Sequence, residues 1–185
     1  MEDTRFSIRH ATDSDAEAIA KVHVTAWREA YAKILPAQML TGIDVAQRTS
    51  RWRKILQTKA ECKDDMVAVS IRGKDILGFV SVGPQRNEKL RLQGFSAEIE
   101  ALYVLHAEQR IGIGRALLRK GADHLLQVGH QAVALWVLEG NRPARAFYES
   151  IGADQIDERE DERGAITLKE CAYGWPDLNK LASRR

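Results

Sequence analysis

The chain is short of cysteine, of unbalanced charge and of long apolar runs, and each shortage closes off a class of protein. Only Cys62 and Cys171 occur among its 185 residues. They form no CxxC pair and imply no disulfide framework, so a reducing cytoplasm is the expected setting. The 28 basic and 26 acidic side chains leave a formal net charge of +2. That balance does not point to nucleic acid or to an anionic membrane as the main partner. No segment approaches the roughly 18 consecutive apolar residues of a membrane span, and Met1-Glu2-Asp3-Thr4-Arg5 lacks the apolar run of a signal peptide. His10, His23, His106, His124 and His130 show no metal-ligand spacing, and no metal is expected. Internal repeats, low-complexity tracts and linkers are also missing. The whole chain is therefore expected to form a single domain with a proper hydrophobic core.

Periodicity places the elements. Arg5–His10 reads as a short strand, and Thr12-Asp13-Ser14-Asp15 offers caps for a helix with Ala16, Ile19, Ala20, His23, Trp27, Ala30 and Tyr31 on one face. A second helical region spans about Pro36 to Gln57, broken near Gly42. Met66–Ile71 and Ile76–Val82 form a hairpin about Arg72-Gly73-Lys74-Asp75. Pro84–Gly94 is polar and reads as a loop, and Ser96–Val104 is a strand. A helix over Gly112–Val128 ends at Gly129, followed by a strand over Ala132–Leu138 and a short helix over Asn141–Ser150 capped by Asn141. Strands near Ala153–Ile156 and Ile166–Tyr173 close the chain, separated by the acidic run Asp157–Glu162 with Arg163-Gly164. Hairpins beside β-α-β crossovers predict a mixed sheet.

The stretch Gln109-Arg110-Ile111-Gly112-Ile113-Gly114, leading into Arg115-Ala116-Leu117-Leu118, carries the chemistry. Two glycines let a ligand approach the backbone, and a helix start leaves N–H groups unpaired and partly positive, which suits a phosphate. A dinucleotide fingerprint would need a third glycine where Leu117 stands. A P-loop would need a wider glycine spacing followed by Lys-Ser/Thr. Neither fits.

With the strand Ala97–Val104 before it and Asn141-Arg142-Pro143-Ala144-Arg145-Ala146-Phe147-Tyr148-Glu149-Ser150-Ile151-Gly152 after it, this turn resembles the GCN5-related N-acetyltransferase (GNAT) superfamily. The signature Q/R-x-x-G-x-G/A matches Gln109, Gly112 and Gly114. A second block matches Asn141, Ala144, Phe147, Tyr148, Glu149 and Gly152. The match covers about residues 96–153, and Ile8–Tyr31 agrees more loosely. His106 and Glu108 depart from the usual Pro and aromatic, Arg110 stands where Gly is common, and Ala153 replaces an aromatic.

The resemblance implies an α/β fold with a mixed, mostly antiparallel sheet of six to seven strands, splayed between the fourth and fifth. It implies acetyl-CoA as co-substrate, its pyrophosphate on the backbone of Gln109, Arg110, Ile111, Gly112, Ile113, Gly114 and Arg115. A bulge near Leu102–Val104 would free Leu102, Tyr103 and Val104 to pair with the pantetheine arm, helped by Asn141. Tyr148 would be the general acid. Glu98 and Glu100, two apart and so on one side of a strand, are the candidate bases, with Glu98 preferred. In a partly dry cleft such a carboxylate is expected to have a raised pKa. Trp27 and Tyr31 would line the acceptor pocket. Asp157–Glu162 either attracts a cationic amine or forms a solvated hairpin turn.

The implied activity is transfer of acetyl to a primary amine of a small molecule by direct attack in a ternary complex. The alternatives are a protein or peptide N-acetyltransferase and a catalytically silent CoA-binding sensor. A homodimer is common among such domains.

Overall fold

The computed structural model of the protein describes residues 6–163 and 166–182. Arg5 and Gly164, which the sequence reading placed in the first strand and the last turn, lie outside them. Seven strands form one sheet in the order β1-β2-β3-β4-β5-β7-β6. They are β1 (Ser7–His10), β2 (Met66–Arg72), β3 (Asp75–Pro84), β4 (Ala97–Val104), β5 (Val133–Leu138), β6 (Asp154–Arg163) and β7 (Ile166–Trp175). Every neighbouring pair is antiparallel except β4 and β5. That parallel pair holds only at Ala97 with Val133 and Glu98 with Ala134. Past Glu98 the two strands part, and the sheet opens as the family resemblance implies.

Helices cover both faces. On one lie α1 (Ala16–Tyr31), the short α2 (Ala37–Thr41) and α3 (Val45–Ala60). The chain enters α1 through a capping box between Thr12 and Asp15, with Asp15 clamped by Arg9 at 2.7 Å. Ile19, Ala20, Trp52 and Leu56 pack there on Val67, Val69 and Phe79. On the other face α5 (Ile113–Gln127) buries Ile113, Leu117, Leu118 and Leu125, an apolar stripe at helical spacing, against Val80, Val82, Leu135 and Val137. Shortening one of these leucines to alanine costs about 2–5 kcal/mol. Asn141 caps α6 (Arg142–Ser150) by accepting from the Ala144 N–H at 3.3 Å.

Three expectations need correction. Pro84–Gly94 is not all loop: β3 runs through Pro84, and Glu88–Leu92 form the short helix α4, capped by Asn87 and pinned by buried Leu90. The acidic run Asp157–Glu162 is not a turn but lies inside edge strand β6. Its charges are tolerated because an edge strand has a solvent side, and because Asp157 pairs with Lys89 and Arg159 with Glu170. The bulge is not near Leu102–Val104 but at Glu100. Ser81 faces Ala101 while Val82 faces Ile99, leaving Glu100 as the extra residue. A further helix, α7 (Leu178–Ala182), buries Leu178 and Leu181 against the α5 side of the core.

The bulge reverses the side-chain alternation of β4. Ile99 packs toward α5, yet so do Leu102 and Val104, while Ala101 and Tyr103 pack toward α1 and α3. Without the extra residue, Ile99, Ala101 and Tyr103 would share one face.

Candidate active site

Two features meet where β4 and β5 part. The first is the turn before α5. Arg110 has φ +65° and Gly112 φ +96°, both left-handed. Alternating hand curls successive N–H groups toward one point, an anion-binding nest. None of the N–H groups from Arg110 to Arg115 has a hydrogen-bond partner among the described residues. The Ala116 N–H is the first to be bonded back, to the Gly112 carbonyl at 3.0 Å. A Cβ on Gly112 would meet nothing within 4 Å, whereas one on Gly114 would come within 3.2 Å of the Phe147 ring. The first glycine thus serves backbone conformation, and the second lets α5 sit against α6. The Gln109 amide donates to the Val104 carbonyl at 3.2 Å and ties the nest to the end of β4. Donors are open, the strand edge beside them is unpaired, and the Asn141 amide nitrogen donates to no described residue. These groups fit a ligand with a phosphate end and an amide-bearing arm.

The second feature is a cleft of about 450 Å³ on the α1–α3 side. Helix α1 contributes His23, Trp27 and Tyr31, and α3 contributes Arg48 and Arg51. The strands contribute Glu98, Glu100 and Tyr103 from β4, Trp136 from β5, Arg159 from β6 and Glu170 from β7; Arg86 joins from the segment after β3. Trp27 and Tyr31, whose rings are 5.2 Å apart, both line it.

Glu98 and Glu100 both reach this cleft. Glu98 accepts from both ends of the Arg86 guanidinium at 2.8 and 2.9 Å. Glu100 accepts from Lys59 at 2.8 Å and from the Ser81 hydroxyl at 2.6 Å. Lys59 also pairs with Asp65. Burial pushes the Glu100 carboxyl up, but Lys59 and Ser81, with Arg86 beyond them, outweigh it and hold its pKa below the ordinary glutamate value. The raised pKa expected of a carboxylate here is therefore corrected for Glu100, because cations share its dry pocket.

Tyr148 is buried on α6, against Tyr173 and Trp175 of β7 at 6.2 and 6.1 Å. Burial, and then the nearby Tyr31, raise its pKa above the ordinary phenol value. Among the described residues its hydroxyl has no hydrogen-bond partner. It belongs to the core on the α5 side, yet senses Tyr31 of the cleft on the other face. Cys171 is buried, with its thiol pushed up by burial first.

Sequence reasoning missed His23, Arg48, Arg51, Arg86, Trp136, Arg159 and Glu170. They are spread over α1, α3, the segment after β3 and strands β5, β6 and β7, and each is unremarkable in its own segment. The one local signal is Arg48 with Arg51, like charges one turn apart.

A sequence profile of the Acetyltransferase (GNAT) family matches residues 22–153. The N-acetyltransferase YuaI of Bacillus subtilis is 37% identical over 175 residues, covering 95% of both chains. Among solved structures, the PaiA N-acetyltransferase of Thermoplasma acidophilum, in complex with coenzyme A, superposes with TM-score 0.69 at 20% identity, covering 90% of this chain and 98% of its own. YncA of Salmonella typhimurium, solved with acetyl-CoA, gives 0.66 at 20% identity, covering 94% of each. With a family profile spanning most of its length and a near-full-length relative, the chain belongs to the GNAT acetyltransferase family.

Proposed function

We propose that the protein transfers the acetyl group of acetyl-CoA to a primary amine of a small molecule, by direct attack in a ternary complex. The observation that carries this reading is the run of unbonded N–H groups from Arg110 to Arg115 beside an unpaired strand edge. Gln109, Arg110, Ile111, Gly112, Ile113, Gly114 and Arg115 hold the pyrophosphate; Leu102, Tyr103, Val104 and Asn141 hold the pantetheine arm. Bound acetyl-CoA supplies an activated thioester.

An alkylamine with a pKa near ~10 must lose a proton before it can attack. Glu98 or Glu100, acting through water, receives that proton. Both are ion-paired, Glu98 with Arg86 and Glu100 with Lys59. As the new C–N bond forms and the C–S bond breaks, the Tyr148 hydroxyl gives its proton to the departing sulfur. Its raised pKa means that the hydroxyl holds its proton at neutral pH. Trp27 and Tyr31 form the wall against which the acceptor is positioned.

The test is to mix purified protein, acetyl-CoA and a panel of amines while following free thiol, with CoA binding measured by calorimetry. Thiol release dependent on an amine supports the reading. No release with any amine, together with no CoA binding, overturns it.

A further inference from the structure

The cleft contains more positive charge than its own carboxylates neutralise. Arg86 is taken by Glu98 at 2.8 Å and Arg159 by Glu170 at 2.6 Å. Glu100 is occupied by Lys59 and Ser81. Arg48 and Arg51 line the same cleft, and neither guanidinium has an ion-pair or hydrogen-bond partner among the described residues. They lie at i and i+3 on one face of α3, where like charges repel. Burial, then Arg51, then opposed by Tyr103, leaves the Arg48 guanidinium below its usual pKa range. The two guanidiniums, Arg48 half-buried and Arg51 exposed, stand side by side on one wall of an open cleft with no carboxylate against them. They are placed to accept planar, charge-bearing oxygen groups.

We infer, resting on the acetyl-transfer reading above, that the acceptor is a small amine that also carries an anionic group, a carboxylate or a phosphate, and that Arg48 and Arg51 hold that group. The anion anchors one end on α3, while the amine end is directed toward Glu98, Glu100 and the gap between β4 and β5. Trp27, Tyr31 and Trp136 offer apolar surface for the stem between them. The same arrangement disfavours polyamines, whose far ammonium groups would meet unpaired guanidiniums. The acidic run of β6 does not offset this: Asp157 is committed to Lys89, and it is Arg159 that reaches the cleft.

The test compares four sets of amines of graded chain length: ω-amino acids, aminoalkyl phosphates, uncharged alkylamines and diamines. Each is assayed by thiol release with acetyl-CoA. In parallel, its binding to the protein–CoA complex is measured by calorimetry, so that an acceptor that binds without turning over is still scored. One anionic set should show a KM or Kd at least tenfold lower than the alkylamine of equal length, and which set does so distinguishes carboxylate from phosphate. Arg48→Ala and Arg51→Ala should each raise that value about tenfold or more, and change the alkylamine and CoA values by much less. Arg51→Glu should shift preference toward diamines. Arg51 is exposed, so its variants test the idea even where Arg48→Ala folds poorly. Turnover or binding with no preference for the anionic sets, or with diamines preferred by the unmodified protein, overturns the inference and leaves acetyl transfer standing. Loss of all thiol release and of CoA binding overturns the transfer reading itself.

Discussion

The Trp52 indole N–H donates to Nδ1 of His23 at 3.1 Å. That bond makes Nδ1 an acceptor, so the neutral ring carries its proton on Nε2. Tyr103 stacks on the same imidazole at 4.7 Å. Burial first, then Arg48 and Arg51, lowers the His23 pKa from 6.5 to about 4. A histidine on the wall of a charged cleft is thus locked neutral, and it meets an acceptor as a donor rather than as a base.

This has a thermodynamic sign. The unfolded chain binds the proton more tightly than the folded one, so stability falls as pH drops from the unfolded value toward about 4 and levels off below it. The His23 share of that loss is at most about 3 kcal/mol. His10 and His124 are also lowered by burial and act in the same direction. Urea unfolding of the wild type and His23→Gln between about pH 7 and pH 4 isolates the His23 share. The variant should lose less stability over that interval. Equal losses would show that His23 is not held neutral.

Tyr148→Phe separates chemistry from binding. The hydroxyl has no partner among the described residues, so its removal leaves no buried group orphaned. Turnover should fall between about 10²- and 10⁴-fold, the range for a lost general acid, while CoA affinity and thermal stability stay within error. Turnover retained within threefold or so, a far smaller change than that range allows, would remove Tyr148 from the acid role.

Gly112→Ala probes the nest. Its Cβ would meet no atom within 4 Å, so the cost is conformational: φ of +96° is foreign to an L-residue. A loss of about 1–2 kcal/mol is expected. Gly129→Ala, at φ +101° beyond the other end of α5 and equally open, should lose a similar amount of stability. Only the first should weaken CoA binding by calorimetry. Equal CoA affinity in both variants would detach the nest from the cofactor.

The nest and the α6 cap were legible because their sequence signals are local. Gly112 must supply a left-handed φ, and Asn141 caps three residues ahead, so short motifs suffice. Arg110 stands where glycine is common in the family, and it adopts φ +65°. The charge pattern of the cleft was not legible. Whether an arginine is solvated or shares a pocket depends on partners from other elements, as Arg86 with Glu98 and Arg159 with Glu170 show. The bulge at Glu100 leaves no mark in the residues of β4, yet it turns Tyr103 onto the α1 side, where it stacks on His23. The acidic run read as a turn because its composition outweighs weak strand propensity. Pairing with β7 along its whole length overrides that preference. In α4, five residues are too few for a period to emerge, and only the Asn87 cap marked it.

Lys59 is the final probe, since it holds both Asp65 and Glu100 while only 11% of its side chain is exposed. Lys59→Met keeps the apolar stem and deletes the charge, leaving two carboxylates without their cation. At neutral pH the loss should be about 3 kcal/mol or more, as for a broken buried pair. In the wild type the Glu100 pKa lies below its ordinary value, so its stabilisation is present above the unfolded carboxylate pKa and is lost as pH falls through the lower folded value. Without Lys59, burial is the largest remaining influence, and it moves the carboxyl upward. Protonation of Glu100 then costs the variant less than it costs the wild type, and the stability gap between them should narrow as pH falls from about 7 toward 4. If Glu100 is the base, the acid limb of the variant's rate profile should also move to higher pH, and if Glu98 is, that limb should stay in place. Urea unfolding and thiol-release assays across that range read both effects. A gap that stays constant with pH would mean that Lys59 does not set the ionisation of Glu100.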